Sequence, residues 1–355
     1  MFGKRGTRSA AAVLQALWAS DGMTRRELEL RLNLSRPTVE RAVRTLERLD
    51  LIQAMGKRTS GVGRPATVFQ LQEQSHLALG IDVELPGLTV AATDLRGEVI
   101  RSDSWTLTDG LDDPIGTLNQ VSADLRRWLR EVGIADQRVV GVGLGVPAAV
   151  ADGQMTILAP NLPQWVRVPA QVVLEERLRL PVWVSHDVHC LALAEARRAG
   201  WEDDILLYLA LRPGLHGDMR MGASLLLRGR PYLGAHGGGA TLHRAFAAQT
   251  DLANLAPDAR AERLVNRLLQ DVVQATLFSD PHRVVIEADC LGESASAFLE
   301  LFREKLIAAL EGQASLPVEV VAAQADGSAG AQGAAVAVLR DLHSHPERLL
   351  PTGRR

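Results

Sequence analysis

Across residues 7–19, Ala11, Leu14, Leu17 and Trp18 recur at three- and four-residue intervals, one stripe of a helix that Asp21-Gly22 brings to a stop. Thr24 follows, with Glu27 three positions on, the pattern in which hydroxyl and carboxylate each satisfy an open backbone N–H of a new helix. Leu28, Leu30 and Leu32 carry that short second helix to the turn Asn33-Leu34. Ser35 then opens a third, SRPTVERAVRTLERLD, with Pro37 in its first turn, and Val39, Val43 and Leu46 facing inward. Its other face shows Arg36, Thr38, Arg41, Arg44 and Arg48. LIQAM and ATVFQLQ predict two strands around a glycine-rich loop, residues 56–65, that holds Lys57, Arg58 and Arg64.

From His76 the pattern becomes that of an α/β protein. HLALGIDVELPGLTVAATDLRGEVIRSDSWTL predicts three consecutive strands, broken at Leu85-Pro86-Gly87 and Leu95-Arg96-Gly97. A helix over 114–132 precedes the buried strand of RVVGVGLGVPAAV. PVWVSHDVHCLALAEARRAG joins a strand to a helix, and DDILLYLALRPGLHGDMRMGASLLLRGRPYLG predicts a further strand pair. With 355 residues the chain exceeds one compact core, which predicts a small domain ahead of a larger bilobed one.

Composition narrows the function. At 46% hydrophobic and 23% charged, the chain carries no long biased segment. No run reaches the roughly 18 apolar residues of a membrane span, and no cleavage pattern follows the N-terminus, so the expected location is the cytoplasm, with no membrane partner. Two cysteines, Cys190 and Cys290, support neither a disulfide framework nor a cysteine-rich zinc site and are expected to pack. The net charge of −3 hides an asymmetry: residues 1–66 hold 13 Lys and Arg against 6 Asp and Glu, a balance of +7, and the rest 26 against 36, or −10. A cationic end of this kind suits a polyanion.

Two short helices joined by a tight turn, the second one basic, form a helix-turn-helix, and the basic hairpin behind it is a wing. The candidate DNA contacts are Arg25, Ser35, Arg36, Thr38, Arg41 and Arg44 on the helices, and Lys57, Arg58 and Arg64 in the wing, where backbone phosphate is the expected target. The competing reading is a small protein-interaction module with solvated arginines. The basic wing and the +7 balance weigh against it.

The order of segments resembles the ROK family, which groups sugar-responsive repressors with sugar kinases. The resemblance runs through LSRPTVERAVRTLERLDLI, GRPATVFQL, LALGIDV with TDLRGEVI, VGVGLGVPAAV with APNLPQW, LPVWVSHDVHCLALAE, GAHGGGATLH and GAQGAAVAVL. It implies an N-terminal winged helix-turn-helix over 1–72 and an α/β, two-lobed, actin-like (ribonuclease H-like) body. The first lobe would span 76–186 plus about 326–345, and the second, with a dimerisation surface, 187–325.

The departures from the family are informative. Where family kinases carry a glycine-rich phosphate loop, this chain runs Asp82-Val83-Glu84-Leu85-Pro86, and Glu287-Ala288-Asp289 replaces a Gly-Gly turn, adding negative charge that opposes ATP. The family's zinc cysteines are missing after His243, so neither metal nor cofactor is expected. His186 with His189, and His343 with His345, are read as polar residues rather than ligands. Of the family's sugar-binding residues the chain keeps Asn161, Asp187 and His243, places His186 where a paired asparagine belongs, and offers Ala240 or Thr241 for a glutamate. Trp165, Trp183 and Trp201 either pack or line that pocket.

The implied function is a DNA-binding regulator, a repressor of carbohydrate-related genes. It would bind a double-stranded operator as a homodimer and answer to a sugar effector held by Asn161, His186, Asp187 and His243, without enzyme activity. The alternatives are a sugar kinase fused to a winged module, and a regulator controlled by a protein partner.

Overall fold

The computed structural model describes residues 4–58, 65–84, 87–107, 112–151, 155–158, 163–213, 218–239, 244–248, 252, 254–313 and 317–349. The head consists of α1 (Lys4–Trp18), β1 (Met23–Thr24), α2 (Arg25–Leu32), α3 (Arg36–Arg48), β2 (Ile52–Arg58) and β3 (Ala66–Leu71). Its helices meet through Val13, Leu14, Leu17, Leu28, Val39, Val43 and Leu46, all fully buried. The Thr24 hydroxyl accepts from Glu27 N at 3.2 Å, and Glu27 Oε2 accepts from Thr24 N at 2.6 Å, so α2 starts as its pattern predicts. Asn33, left-handed at φ 51°, ends it.

Three details of the head differ from the pattern. Leu30, one of the three leucines that carry the second helix, is 66% exposed, because residues two apart on a helix point to nearly opposite sides and Leu28 takes the buried one. Ser35 is the N-cap residue of α3 but makes no side-chain bond to its backbone; its hydroxyl pairs with that of Thr38 at 2.8 Å. Met23 and Thr24 also pair with Phe69 and Val68, adding a third strand to the wing sheet.

Beyond the head the chain runs β4 (Leu77–Glu84), β5 (Gly87–Thr93), β6 (Val99–Thr106), α4 (Pro114–Glu131), β7 (Val139–Val146), β8 (Ala149–Ala151), β9 (Met155–Leu158), α5 (Ala170–Leu178), β10 (Val182–His186) and α6 (Asp187–Ala199). It continues through β11 (Ile205–Pro213), β12 (Asp218–Leu227), β13 (Arg230–Pro231), β14 (Arg244–Ala248), α7 (Pro257–Ser279), β15 (Arg283–Glu287), α8 (Ala295–Leu310), β16 (Glu319–Ala322) and α9 (Ala329–Ser344). One sheet has the order β10-β7-β4-β5-β6, its first three strands mutually parallel and β4-β5-β6 the predicted meander. The other has the order β13-β12-β11-β15-β16, with β14 paired to β12.

Helix α9 returns from the second sheet to lie on β4 and β7 and along α6. The approach is close enough to dictate sequence: a Cβ on Gly143 would collide with the Ala334 carbonyl, and one on Gly333 with the Cys190 carbonyl. The same helix meets α1 of the head. One hydrophobic cluster runs from Leu14 and Trp18 through Leu191 and Leu193 of α6 to Leu339 and Leu342 of α9. Separate clusters fill the first sheet under α4 and α5, and the second under α7 and α8.

Candidate nucleic-acid interface and effector cleft

On α3, Ser35, Arg36, Arg41, Arg44 and Arg48 are exposed and Thr38 half-buried. Arg41, Arg44 and Arg48, three or four residues apart, share one face, while Ser35 and Arg36 stand at the helix N-terminus, where open backbone N–H groups favour anions. Arg44 pairs with Glu40 at 2.5 Å, whereas Arg36 and Arg41 have no ion pair among the described residues.

Arg25 is oriented differently: its guanidinium lies 4.5 Å from the Phe69 ring centroid, packed against the wing sheet. In the wing, Lys57 is exposed and Arg58 reaches Glu27 at 3.3 Å, tying the hairpin to α2. The Glu27 carboxyl is held below the usual carboxylate range, first by the Thr24 N–H and also by the charge of Arg58. Arg64 lies outside the described residues.

In the body the parallel strands end together. Register places Asp82 of β4 beside Gly145 of β7, and His186 of β10 beside Val146. Asp187 follows as the first residue of α6, its Oδ1 3.2 Å from His186 Nε2 and accepting from Val188 N at 2.7 Å. Asp82 and Asp187 both act on the buried Cys190 between them, whose thiol burial first, and then these two charges, push well up. The carboxyl ends of parallel strands are where open α/β sheets bind ligands. His189 exchanges a 2.8 Å hydrogen bond with Ser224, and its ring packs edge-on against that of His186 at 5.3 Å.

Residues 79–243 match the ROK family, and residues 11–53 match the winged helix-turn-helix DNA-binding family. Residues 79–243 thus form a ROK family domain, behind a winged helix-turn-helix segment. It is 25% identical over 227 residues to a putative xylose repressor of Caldicellulosiruptor, an alignment spanning 63% of this chain and 55% of that protein. The chain thus spans little more than half of that relative's length. Among solved structures it resembles a ROK family transcriptional regulator, homologue of the E. coli MLC protein, at TM-score 0.73 and 17% identity over 97% of this chain and 99% of that one. It also resembles a ROK glucokinase from Streptomyces griseus, at TM-score 0.59 and 18% identity over 73% and 98%. At these identities the two structures establish the fold.

Against the ROK pattern, several expectations change. Asn161 and His243, with Ala240 and Thr241, lie outside the described residues, so the structure places only His186 and Asp187 of the expected effector set. Glu287, read as adding negative charge against ATP, is buried: its Oε2 accepts from the Tyr208 hydroxyl at 2.9 Å, and Arg212 neutralises its other oxygen. Sequence gave no sign of this, since the partners sit 79 and 75 residues away and meet only through the parallel pairing of β11 with β15.

Cys190 packs as expected, but Cys290 is exposed, with its Sγ bonded to the Leu211 carbonyl at 3.2 Å. Trp165 is buried in the core of the first sheet, Trp201 lies 4.7 Å from the Arg283 guanidinium and Trp183 5.7 Å from that of Arg348, so all three pack. No helix among the described residues is long and apolar enough to cross a membrane.

Sequence reasoning also missed the junction. Arg96, at the turn after β5, donates to the carbonyls of Trp18 and Ser20, at 3.4 and 3.1 Å, and its own carbonyl accepts from Arg197 Nε at 2.7 Å. The Trp18 ring lies 4.8 Å from the Arg197 guanidinium and 4.5 Å from the His343 ring. Trp18 was legible as a core residue of α1, but nothing marked its partners in the body.

Proposed function

We propose that this chain represses carbohydrate-related genes by binding an inverted-repeat operator as a homodimer. The observation that carries this is the basic outer face of α3, with Arg36 and Arg41 free of ion pairs among the described residues, on a helix-turn-helix closed by a capping box and flanked by a wing. On this reading Ser35, Arg36, Thr38, Arg41 and Arg44 face the major groove, and Lys57, Arg58 and Arg64 meet phosphates. Arg25 supports the wing through Phe69. The division is a head over 1–72, a first lobe over 76–186 plus about 326–345, and a second lobe over 187–325 that supplies the dimer surface. A two-fold dimer sets half-sites about 34 Å apart or a multiple of that.

The body is read as a sensor that has given up phosphoryl transfer. Strands β4 and β5 stay paired up to Glu84 opposite Gly87, and the sequence between them reads Leu85-Pro86 rather than the glycines a phosphate cradle needs. Without a bound donor, Asp187 has nothing to transfer. Asp187 and His186 remain as hydroxyl-binding groups for a sugar-like effector, together with Asn161 and His243. The name of the xylose repressor supports this class of effector.

The test is fluorescence anisotropy with fragments of the gene's own promoter region, with and without a monosaccharide panel. Salt-sensitive binding that one sugar shifts, and that Asp187→Asn makes insensitive to the sugar, is the expected result. Absence of salt-sensitive binding to any fragment defeats the regulator reading. Binding that no sugar moves favours control by a protein partner, and sugar-dependent ADP release lost in Asp187→Asn restores the kinase reading.

A further inference from the structure

A cleft of about 760 Å³ opens where the head meets the body, between the end of α1, the last turns of α9 and the β12–β13 hairpin. Its lining includes Trp18, Asp203, Arg228, Arg230, Arg340 and His343, none of them among the residues assigned above to DNA or sugar. Trp18 Nε1 and both ring nitrogens of His343 are buried and make no hydrogen bond among the described residues. His343 is 1% exposed, and burial, with the charges of Arg340 and Arg197, pushes its pKa down to about 3, so the ring is neutral. Arg340 is half-buried and has no ion pair among the described residues; it makes a 3.4 Å bond to the Arg228 carbonyl and lies 5.6 Å from the Trp18 ring.

The acids of the cleft are mostly engaged. Glu202 is held by Arg197 at 2.7 Å, and Asp341 by Arg348 and by His345 at 3.3 Å. That leaves Asp203 against three arginines. Buried donors without acceptors are costly to leave unmade, and a half-buried guanidinium among like charges calls for an anion. Several arginines lining one cleft suit the tetrahedral oxygens of a phosphate better than a single carboxylate.

We propose that this head–body cleft is a binding site for a small phosphate-bearing anion, a phosphate monoester or free phosphate. Its oxygens accept from Arg340 and Trp18 Nε1, with Arg228 and Arg230 at the mouth, and the volume leaves room for an organic group the size of a sugar. Because its walls come from both head and body, an occupied site sets how the head sits and so changes operator affinity, with the reciprocal effect of DNA on the anion. The site is independent of the sugar cleft around Asp187.

The experiment is isothermal titration of the full chain at low salt with inorganic phosphate, glucose 6-phosphate and citrate. Saturable binding of one of the phosphates is expected, weakened at least about tenfold by Arg340→Gln and by Arg230→Gln, and unchanged in Asp187→Asn. Tighter binding of the ester than of inorganic phosphate identifies a phosphorylated metabolite, and equal binding identifies phosphate itself. Arg230 stands on the exposed hairpin, so its variant keeps the test valid if Arg340→Gln fails to fold. The proposal is overturned by no saturable heat through the millimolar range, by phosphate binding that survives both arginine variants, by its loss in Asp187→Asn, or by citrate outcompeting both phosphates.

Discussion

On α3, Arg36 and Arg41 stand exposed with no ion pair among the described residues, whereas at the end of β15 Glu287 is buried between the Tyr208 hydroxyl and Arg212. An exposed arginine is already hydrated and can exchange water and counterions for a phosphate at little cost to the fold. A buried carboxylate must be neutralised by the protein itself, and once it has been, it is part of the fold and no longer offered to a ligand. Mutations on the first surface should therefore change binding and spare stability, and mutations in the second should do the reverse.

The largest effect expected is at Glu287. Glu287→Ala strips the Tyr208 hydroxyl of its acceptor and removes the buried carboxylate that Arg212 binds, and should lower the unfolding free energy by about 3 kcal/mol in urea denaturation. That is the low end of the range for a broken buried pair, because Arg212 can partly rehydrate. An unchanged midpoint breaks the comparison.

Arg41→Ala should leave stability within about 0.5 kcal/mol and weaken operator binding by about 1–3 kcal/mol, tenfold or more at mid-range, in anisotropy titrations. A large loss of stability with unchanged DNA binding would place Arg41 in the fold rather than on the interface.

The junction falls between these extremes and is read by pH. The His343 pKa is depressed in the folded chain to about 3, below the ordinary 6.5, so the unfolded chain binds the extra proton first. Stability from this group is complete above about 6.5 and falls as pH drops from there towards 3, by up to about 1.4 kcal/mol per pH unit. Thermal melts across that window should show the slope in the wild type and a shallower one in His343→Asn.

The smallest effect is at the Glu40–Arg44 pair, exposed and spaced i, i+4. Glu40→Gln should cost about 0.3–0.5 kcal/mol of stability and raise DNA affinity a few-fold at low salt, because a negative charge leaves the basic face.

How much of this was legible follows from how far apart the interacting residues lie. The capping of α2, the inward stripe Val39, Val43 and Leu46 and the strand meander β4-β5-β6 are local patterns, and each stands in the structure where its spacing puts it. Of the three leucines of α2, Leu30 stands exposed, because leucines two apart cannot share a face of an eight-residue helix. Arg25 and Arg58 stand among the candidate DNA contacts, and nothing in the sequence marked the partners they meet in the fold, Phe69 for Arg25 and Glu27 for Arg58. Of the candidate cleft, His186 and Asp187 were legible from the strand-to-helix turn that carries them, but not their convergence with Asp82 at the ends of parallel strands.

The amino-acid order by itself determined the helices and strands of the head and the placement of positive charge at one end, because periodicity, capping and charge are properties of neighbours in the chain. Only the tertiary structure decided which charges are answered and which are open. Glu287 is neutralised by residues more than 70 positions away, and Trp18 meets Arg197, Arg340 and His343 across a head–body contact. The reason is that burial sets the cost of a charge or an unmade hydrogen bond, and burial exists only after distant segments have packed.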